Sequence, residues 1–257
     1  MPPIPISTSV VFVTGAAQGL GRATALRLGA LGAKVCVVDR SAEAANAVAK
    51  EIGSNALALT ADVSNEEQMQ AAVSRAVSEF GRINATVNCA GIAIASRTLS
   101  KKGPHSLEQF AKVINVNVMG TFNSIRLTAD VMSKNHPDAD GCRGVIINTA
   151  SIAAFDGQIG QAAYAASKGA VAAMTLPIAR DLSSFGIRMC TIAPGLFLTP
   201  MLAGLPDQVQ TDLASTVPFP KRLGNPTEYA QLVQSIIENP MLNGEIIRLD
   251  GALRMQP

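Results

Sequence analysis

Tyr164 and Lys168 stand four residues apart, and Ser151 lies thirteen residues upstream of Tyr164. On a helix, a spacing of four puts two side chains on one face, one turn apart. The run 161–185, rich in alanine and closed near Gly186, reads as that helix. Ser151 ends the run Gly144-Val-Ile-Ile-Asn-Thr-Ala-Ser151, which reads as a buried strand. A strand end and the following helix would thus bring a hydroxyl, a phenol and an ammonium to one pocket mouth. The chemistry of such a trio is proton transfer to or from an alcohol. A free tyrosine, with a pKa of about 10, is a poor base at neutral pH, but a nearby lysine cation favours the phenolate. Lowering that pKa by roughly three units takes about 4 kcal/mol of differential interaction, which two adjacent positive charges could supply. Lys168 would be one of them, and Ser151 would hydrogen-bond the substrate oxygen as the proton moves. Tyr-x-x-x-Lys alone is a common helical spacing, so the remainder of the chain has to supply the context.

That context begins at the N-terminal end. Ser9-Val-Val-Phe-Val-Thr14 is a short β-branched run that reads as a buried strand. It leads into Gly15-Ala-Ala-Gln18-Gly19-Leu20-Gly21 and then into a helical pattern over 22–31. Strand, glycine turn and helix in that order make a phosphate-binding unit, because glycines admit close backbone approach and the helix start offers free N–H groups. The spacing is Gly-x-x-x-Gly-x-Gly, not the Gly-x-Gly-x-x-Gly dinucleotide fingerprint. The next strand, 34–39, ends in Asp39, eighteen residues after Gly21. A carboxylate there accepts from adenosine ribose hydroxyls and repels a 2′-phosphate, which favours NAD over NADP; Arg40, directly following, could pair with a phosphate. An oxidised nicotinamide ring would then be the second positive charge near Tyr164.

Further strands are expected over 56–61, 85–88, 187–192 and 245–249, with helices over 41–52, 66–80, 107–132 and 226–239. Strand and helix alternate without repeat or linker, which predicts one doubly wound Rossmann domain over residues 1–257, a seven-stranded parallel sheet with helices on both faces. Asp62 and Val63 close the third strand, where an Asp side chain can accept from an adenine amino group or cap the next helix. Asn88-Cys89-Ala90-Gly91 is a turn with little side-chain bulk, leaving room for a cofactor ribose. Asn117 sits inside the long helix, where Asn has no intrinsic reason to be; it could hold a water or disturb the local helix bonds. Pro194-Gly195 ends the sixth strand, and the irregular, proline-rich segment 196–220 is well placed to be a substrate lid. Residues 96–105 read as a polar loop that carries Lys101 and Lys102.

Composition narrows the function classes. A net charge of +2 gives no mandate for nucleic acid or a membrane surface. The four cysteines lack C-x-x-C spacing and read as reduced core thiols, and the two histidines match no ligand spacing, so no metal is expected. No run of about twenty apolar residues occurs to span a bilayer. The N-terminus, with no Arg or Lys before Arg22, reads as neither a signal peptide nor a basic presequence.

Taken together, Thr14-Gly-Ala-Ala-Gln-Gly-Leu-Gly21, Asn88-Cys-Ala-Gly91, Asn117, Ser151, Tyr164-x-x-x-Lys168 and Pro194-Gly195 resemble the short-chain dehydrogenase/reductase family, in order and over the whole chain. Cys89 departs from many members, which have a second Asn there. It fits a subgroup acting on 3-hydroxyacyl-CoA esters, which the stretch 143–151, the stretch 157–164, the tail 248–257 and the basic loop at Lys101-Lys102 also resemble. The resemblance implies Ser151, Tyr164 and Lys168 as catalytic residues, with Ser151 and Tyr164 meeting the substrate and Asn117 anchoring a proton-relay water. It also implies that Gln18, Leu20, Asp39, Asp62, Val63 and Cys89 line an NAD site. Phe197 and Thr199 would meet the nicotinamide end, and Lys168 would bond the nicotinamide ribose. A homotetramer built through two long helices, acyl-CoA or hydroxysteroid substrates and a mitochondrial matrix location follow from the same resemblance; a bacterial source would make the protein cytoplasmic. Two alternatives stay open: a 3-oxoacyl reductase or polyol dehydrogenase on the same scaffold, and a non-catalytic subunit in mitochondrial tRNA processing.

Overall fold

The computed structural model describes residues 5–204 and 206–257. Residues 1–4, part of the N-terminal stretch, and Leu205, inside the segment expected to be a lid, lie outside the described residues. The β-branched runs form the strands β1 (Val10–Thr14), β2 (Lys34–Asp39), β3 (Ala56–Thr60) and β4 (Ala85–Asn88). Beyond them come a small hairpin, β5 (Leu99–Ser100) with β6 (Gly103–Pro104), and then β7 (Gly144–Thr149), β8 (Ile187–Pro194) and β9 (Ile246–Leu249). Seven strands pair in parallel in the order β3-β2-β1-β4-β7-β8-β9, as the alternation of strand and helix predicts. The strand order reverses between β1 and β4, so the crevice beyond their carboxyl ends is where a parallel sheet of this kind holds ligands.

Helices cover both faces. On one side lie α1 (Gly19–Ala30), α2 (Ala42–Ile52) and α9 (Pro226–Glu238); on the other lie α3 (Glu66–Phe80), α4 (Leu107–Ile114), α5 (Gly120–Met132) and α6 (Ala162–Ser183). Because side chains alternate along a strand, Val11 and Val13 enter the first layer while Phe12 enters the second. Burial on both faces is why the central strands read as near-continuous apolar runs. Helix starts are set by local chemistry: Ser41, Asn65 and Ser106 accept from backbone N–H groups three residues on, and Asn225 forms a capping box with Glu228.

Two details differ from the sequence reading. The stretch expected to be one long helix is interrupted by a π turn, Asn115–Met119, and the stretch 96–105 is not a plain loop but folds into the β5–β6 hairpin. Gly103, at φ +106°, turns the hairpin back and leaves Lys101 and Lys102 exposed at its tip. The segment after β8 holds two short helices, α7 (Pro200–Ala203) and α8 (Asp207–Ser215). No helix among the described residues is long and apolar enough to cross a membrane.

Candidate active site

The glycine turn is shaped by close approach. A Cβ on Gly21 would come within 2.2 Å of the Gly15 carbonyl oxygen, and one on Gly15 (φ +62°) within 2.7 Å of the Ala90 backbone. The turn from β1 is thereby pressed against the turn from β4. Gln18 stands at the N-cap of α1 without a side-chain cap bond, so the first N–H groups of the helix face the crevice end unclaimed by any side chain among the described residues. Above them, Thr199 lies 3.5 Å from where a Gly19 Cβ would stand. Leu20 packs partly into the core.

Asp39 closes β2 and reaches back over the turn. Its Oδ2 accepts from Ala17 N (3.1 Å) and its Oδ1 from Ser41 N (3.1 Å), so the carboxylate is held at the crevice edge. Asp62 accepts at Oδ1 from both the N–H and the hydroxyl of Ser64, the hydroxyl at 2.6 Å. The hydroxyl bond is the main reason its carboxyl lies below its ordinary pKa. The cap of α3 is Asn65, not Asp62. Val63 is buried, packed on Gly120, with its carbonyl accepting from Asn123.

In the β4 turn, Asn88 is buried and donates to the Asn148 side chain on β7 (2.8 Å). Gly91 is exposed to the crevice; a Cβ there would meet Asn117 Oδ1 at 3.3 Å and Lys168 Nζ at 3.5 Å. Asn117, fully buried in the π turn, accepts from Ile92 N (2.8 Å) and donates to Ile92 O (2.9 Å) and Ser167 Oγ (2.9 Å). Ser167 in turn donates to Tyr164 O (2.7 Å), so Asn117 ties the β4 turn to the helix that carries Tyr164 and Lys168.

Ser151 stands near enough to Tyr164 for its hydroxyl to favour the ionised phenol. Ser151 Oγ accepts from Ala153 N (3.1 Å), which leaves its hydroxyl proton for the phenol or a bound oxygen. Lys168 is buried; its Nζ lies 5.7 Å from the Tyr164 ring centroid and donates to Thr149 O (2.8 Å). In the protein alone, burial dominates both groups. It raises the Tyr164 phenol, a shift the nearby Ser151 hydroxyl only partly offsets, and it brings the Lys168 ammonium down to about 8. Desolvation of the buried phenol is thus a cost that the two expected positive charges, Lys168 and the nicotinamide ring, would have to overcome.

Phe197 is buried with its ring over Gly224 in the core, while Thr199 faces the glycine turn and Pro194 ends β8, buried. Cys89 lies 3.6 Å from Thr149 Oγ1 and 3.7 Å from the Tyr229 hydroxyl, and burial raises its thiol pKa. A cavity of about 460 Å³ opens beside the first turn of α6, between Arg97–Leu99 and the loop 157–162. Sequence reasoning missed several supporting residues: Thr149, whose carbonyl holds Lys168; Ser167; and Tyr229, whose hydroxyl lies 2.7 Å from Thr149 Oγ1. Tyr229 is one of only two tyrosines in the chain, and that rarity was the one signal available.

Residues 9–210 match the profile of the short chain dehydrogenase family. The chain belongs to that family, and is an oxidoreductase built for a nicotinamide cofactor. It is 60% identical over 254 residues to the 3-hydroxyacyl-CoA dehydrogenase type-2 of Drosophila melanogaster, covering 98% of this chain and 100% of that protein. Among solved structures it resembles a 3-hydroxyacyl-CoA dehydrogenase type-2 from Mycobacterium avium, at TM-score 0.93 and 41% identity over 97% of this chain and 96% of the other. It also resembles a 3-ketoacyl-(acyl-carrier-protein) reductase from Brucella melitensis complexed with NADH, at TM-score 0.86 and 31% identity, covering 96% and 98%.

Proposed function

We propose that the protein oxidises a secondary alcohol to a ketone with NAD, and that its substrates are 3-hydroxyacyl-CoA esters, short branched ones included, with hydroxysteroids as secondary substrates. The observation that carries the reaction type is the meeting of Ser151, Tyr164 and Lys168, with Lys168 beside Gly91 of the β4 turn. The substrate class is supported by full-length similarity to proteins named for it.

The residues fit a dinucleotide. The uncapped start of α1 suits a pyrophosphate, the Asp39 carboxylate suits ribose hydroxyls, and the small β4 turn suits the second ribose within reach of Lys168. When bound, oxidised nicotinamide supplies the hydride acceptor and a positive charge. Tyr164 then takes the hydroxyl proton, Ser151 donates to the substrate oxygen, and Lys168, fixed by Thr149 O, holds the ribose and favours the phenolate. Asn117 keeps the β4 turn and α6 in register and would anchor a relay water through them. Segment 196–220 acts as the substrate lid. Exposed Met119, Phe122 and Leu176 support assembly as a homotetramer, which gel filtration would read. Fractionation of the source cell tests the matrix location.

The direct test is NADH formation from NAD and 3-hydroxybutyryl-CoA, beside a polyol and a hydroxysteroid. Turnover of the thioester well above the others is expected; none with it, but turnover of a polyol, would overturn the substrate class. The Brucella neighbour favours a second reading, reduction of a 3-oxoacyl thioester at the same residues. Comparing rates in the two directions at neutral pH distinguishes them.

A further inference from the structure

The last strand and the tail beyond it converge on the turn that holds Ser151. Arg248, on β9, donates through Nη2 to Asp156 Oδ2 (2.6 Å) and through Nε to Asp250 Oδ2 (2.7 Å), and also bonds the Leu253 carbonyl (2.9 Å). Its guanidinium stands 5.4 Å from the Phe155 ring centroid. These carboxylates are 15% and 7% exposed, so the cluster is shielded from solvent rather than spread on a surface. Asp156 lies at the end of the short turn that begins at Ser151, and it accepts nothing from that turn's side chains; Arg248 is its charge partner.

The same tail also touches the proposed lid. Ile152, next to Ser151, is buried with Val217 and Leu253, and Leu196 and Met255 pack against them. Phe219 N donates to Gly251 O (3.3 Å), and a Cβ on Gly251 would come within 2.6 Å of Val217. Gln158 Nε2 donates to Gln256 O (2.9 Å), and Gln158 lines the cavity beside α6. Residues 248–256 therefore contact the Ser151 turn, the far end of the lid and one wall of the cavity.

We propose that Arg248 is a positioning residue: through Asp156 and Asp250 it locks the C-terminal tail so that the Ser151 turn and the Val217–Phe219 end of the lid are held in one fixed relation. The catalytic consequence rests on the reading of Ser151 as a reacting-site hydroxyl, whereas the mechanical link does not. A planar fork bonds two carboxylates and a carbonyl at once, which a lysine cannot reproduce. The NAD-binding half, β1 to β4 with α1, makes none of these contacts.

The test uses Arg248→Met, Arg248→Lys and a chain ending at Arg254, read in two ways. Amide hydrogen exchange of the protein without ligand should show 151–158 and 217–219 exchanging faster together, with 10–21 unchanged. In the enzyme assay, kcat should fall by about 10²-fold in Arg248→Met, the scale of a 1 Å misplacement of a reacting group. It should fall less in Arg248→Lys, with the Kd for NAD within about two-fold of the starting protein throughout, as expected for a site that the clamp does not touch. If Arg248→Met fails to fold, the other two variants give the same readings. Faster exchange in only one of the two segments, or exchange rising everywhere, overturns the link. Linked exchange with unchanged kcat overturns the positioning role. Linked exchange in a protein that oxidises no alcohol would leave the link standing and refute the proposed function instead.

Discussion

Replacing Asp39 with Asn removes one charge and keeps the size and one acceptor of the side chain. Asp39 is half-buried, and its two oxygens are held by Ala17 N and Ser41 N at 3.1 Å each, so the charge cannot swing away from a phosphate placed on the adjacent ribose. A unit charge pair about 5 Å apart is worth ~1 kcal/mol in water and ~3 kcal/mol at the effective dielectric of a protein surface. A half-buried carboxylate falls between these, at about 2 kcal/mol, which is a discrimination of roughly 30-fold against the 2′-phosphate. Asp39→Asn should therefore raise the ratio of kcat/KM for NADP to that for NAD by about 30-fold. The Asn amide group can satisfy only one of the two N–H groups, and losing one such bond costs about 1 kcal/mol, a few-fold in NAD affinity. The assay is initial rates with each cofactor at saturating alcohol, with circular dichroism to confirm the fold. A starting protein that used both cofactors equally, or a folded variant whose ratio moved less than about three-fold, would refute the role given to Asp39.

Other outcomes follow from the same geometry. Tyr164→Phe keeps the ring and removes the base, so turnover should fall by about 10²–10⁴-fold with NAD binding retained; near-normal turnover would exclude Tyr164. Lys168 has a folded pKa of about 8 against an ordinary 10.5. The native state sheds that proton first, so unfolding takes up a proton and stability rises with pH through that window. Denaturant titrations of the protein and Lys168→Met should thus diverge in the native sequence's favour between those two pH values, and parallel curves would place Lys168 in a wetter site. Lys101 and Lys102 sit exposed at the hairpin tip, where each contact with a coenzyme A phosphate is worth about 1 kcal/mol or less. Changing both to Gln should raise KM several-fold for acetoacetyl-CoA and leave KM for a steroid alone. Equal effects on both would return them to the solvent.

Much of the site was legible because its parts are local. The glycine turn needs small residues where Gly21 meets Gly15 and Gly15 meets Ala90, and a strand running straight into it announces the contact. Tyr164 and Lys168 share a helix, so their spacing carries their geometry. Asn117 stood out because Asn is a poor helix-interior residue, and the structure gives the reason: a π turn places its amide between Ile92 and Ser167. The hairpin at Leu99–Pro104 was not legible, since two-residue strands carry no periodicity and its glycine also suits a loop. The supports of the site were hidden for a different cause. Thr149 and Tyr229 meet across eighty residues, and Arg248 and Asp156 across ninety-two. Nothing local marks such pairs, because each partner would be unremarkable on a surface and acquires its meaning only when the sheet brings β7, β9 and α9 to one end.

The pKa directions add a last step. Evolution of a phenolate at neutral pH would be simplest in a solvated site, yet Tyr164 and Lys168 are both driven toward their neutral forms by burial. A site left in that balance holds its proton until a further positive charge arrives. The ammonium at Lys168 is pinned to Thr149 O and cannot approach the phenol more closely without breaking that bond. In the proposed reaction an oxidised nicotinamide held beside Lys168 would supply that further charge. Base strength would then be switched on by the cofactor in its oxidised form, so that proton removal and hydride acceptance are available together. A difference spectrum of the phenol region, recorded on the protein with and without NAD and corrected with Tyr164→Phe, reads this directly. Ionisation should move to lower pH when NAD is added and stay high with NADH; the same curve with both forms would mean that the nicotinamide charge does not reach Tyr164.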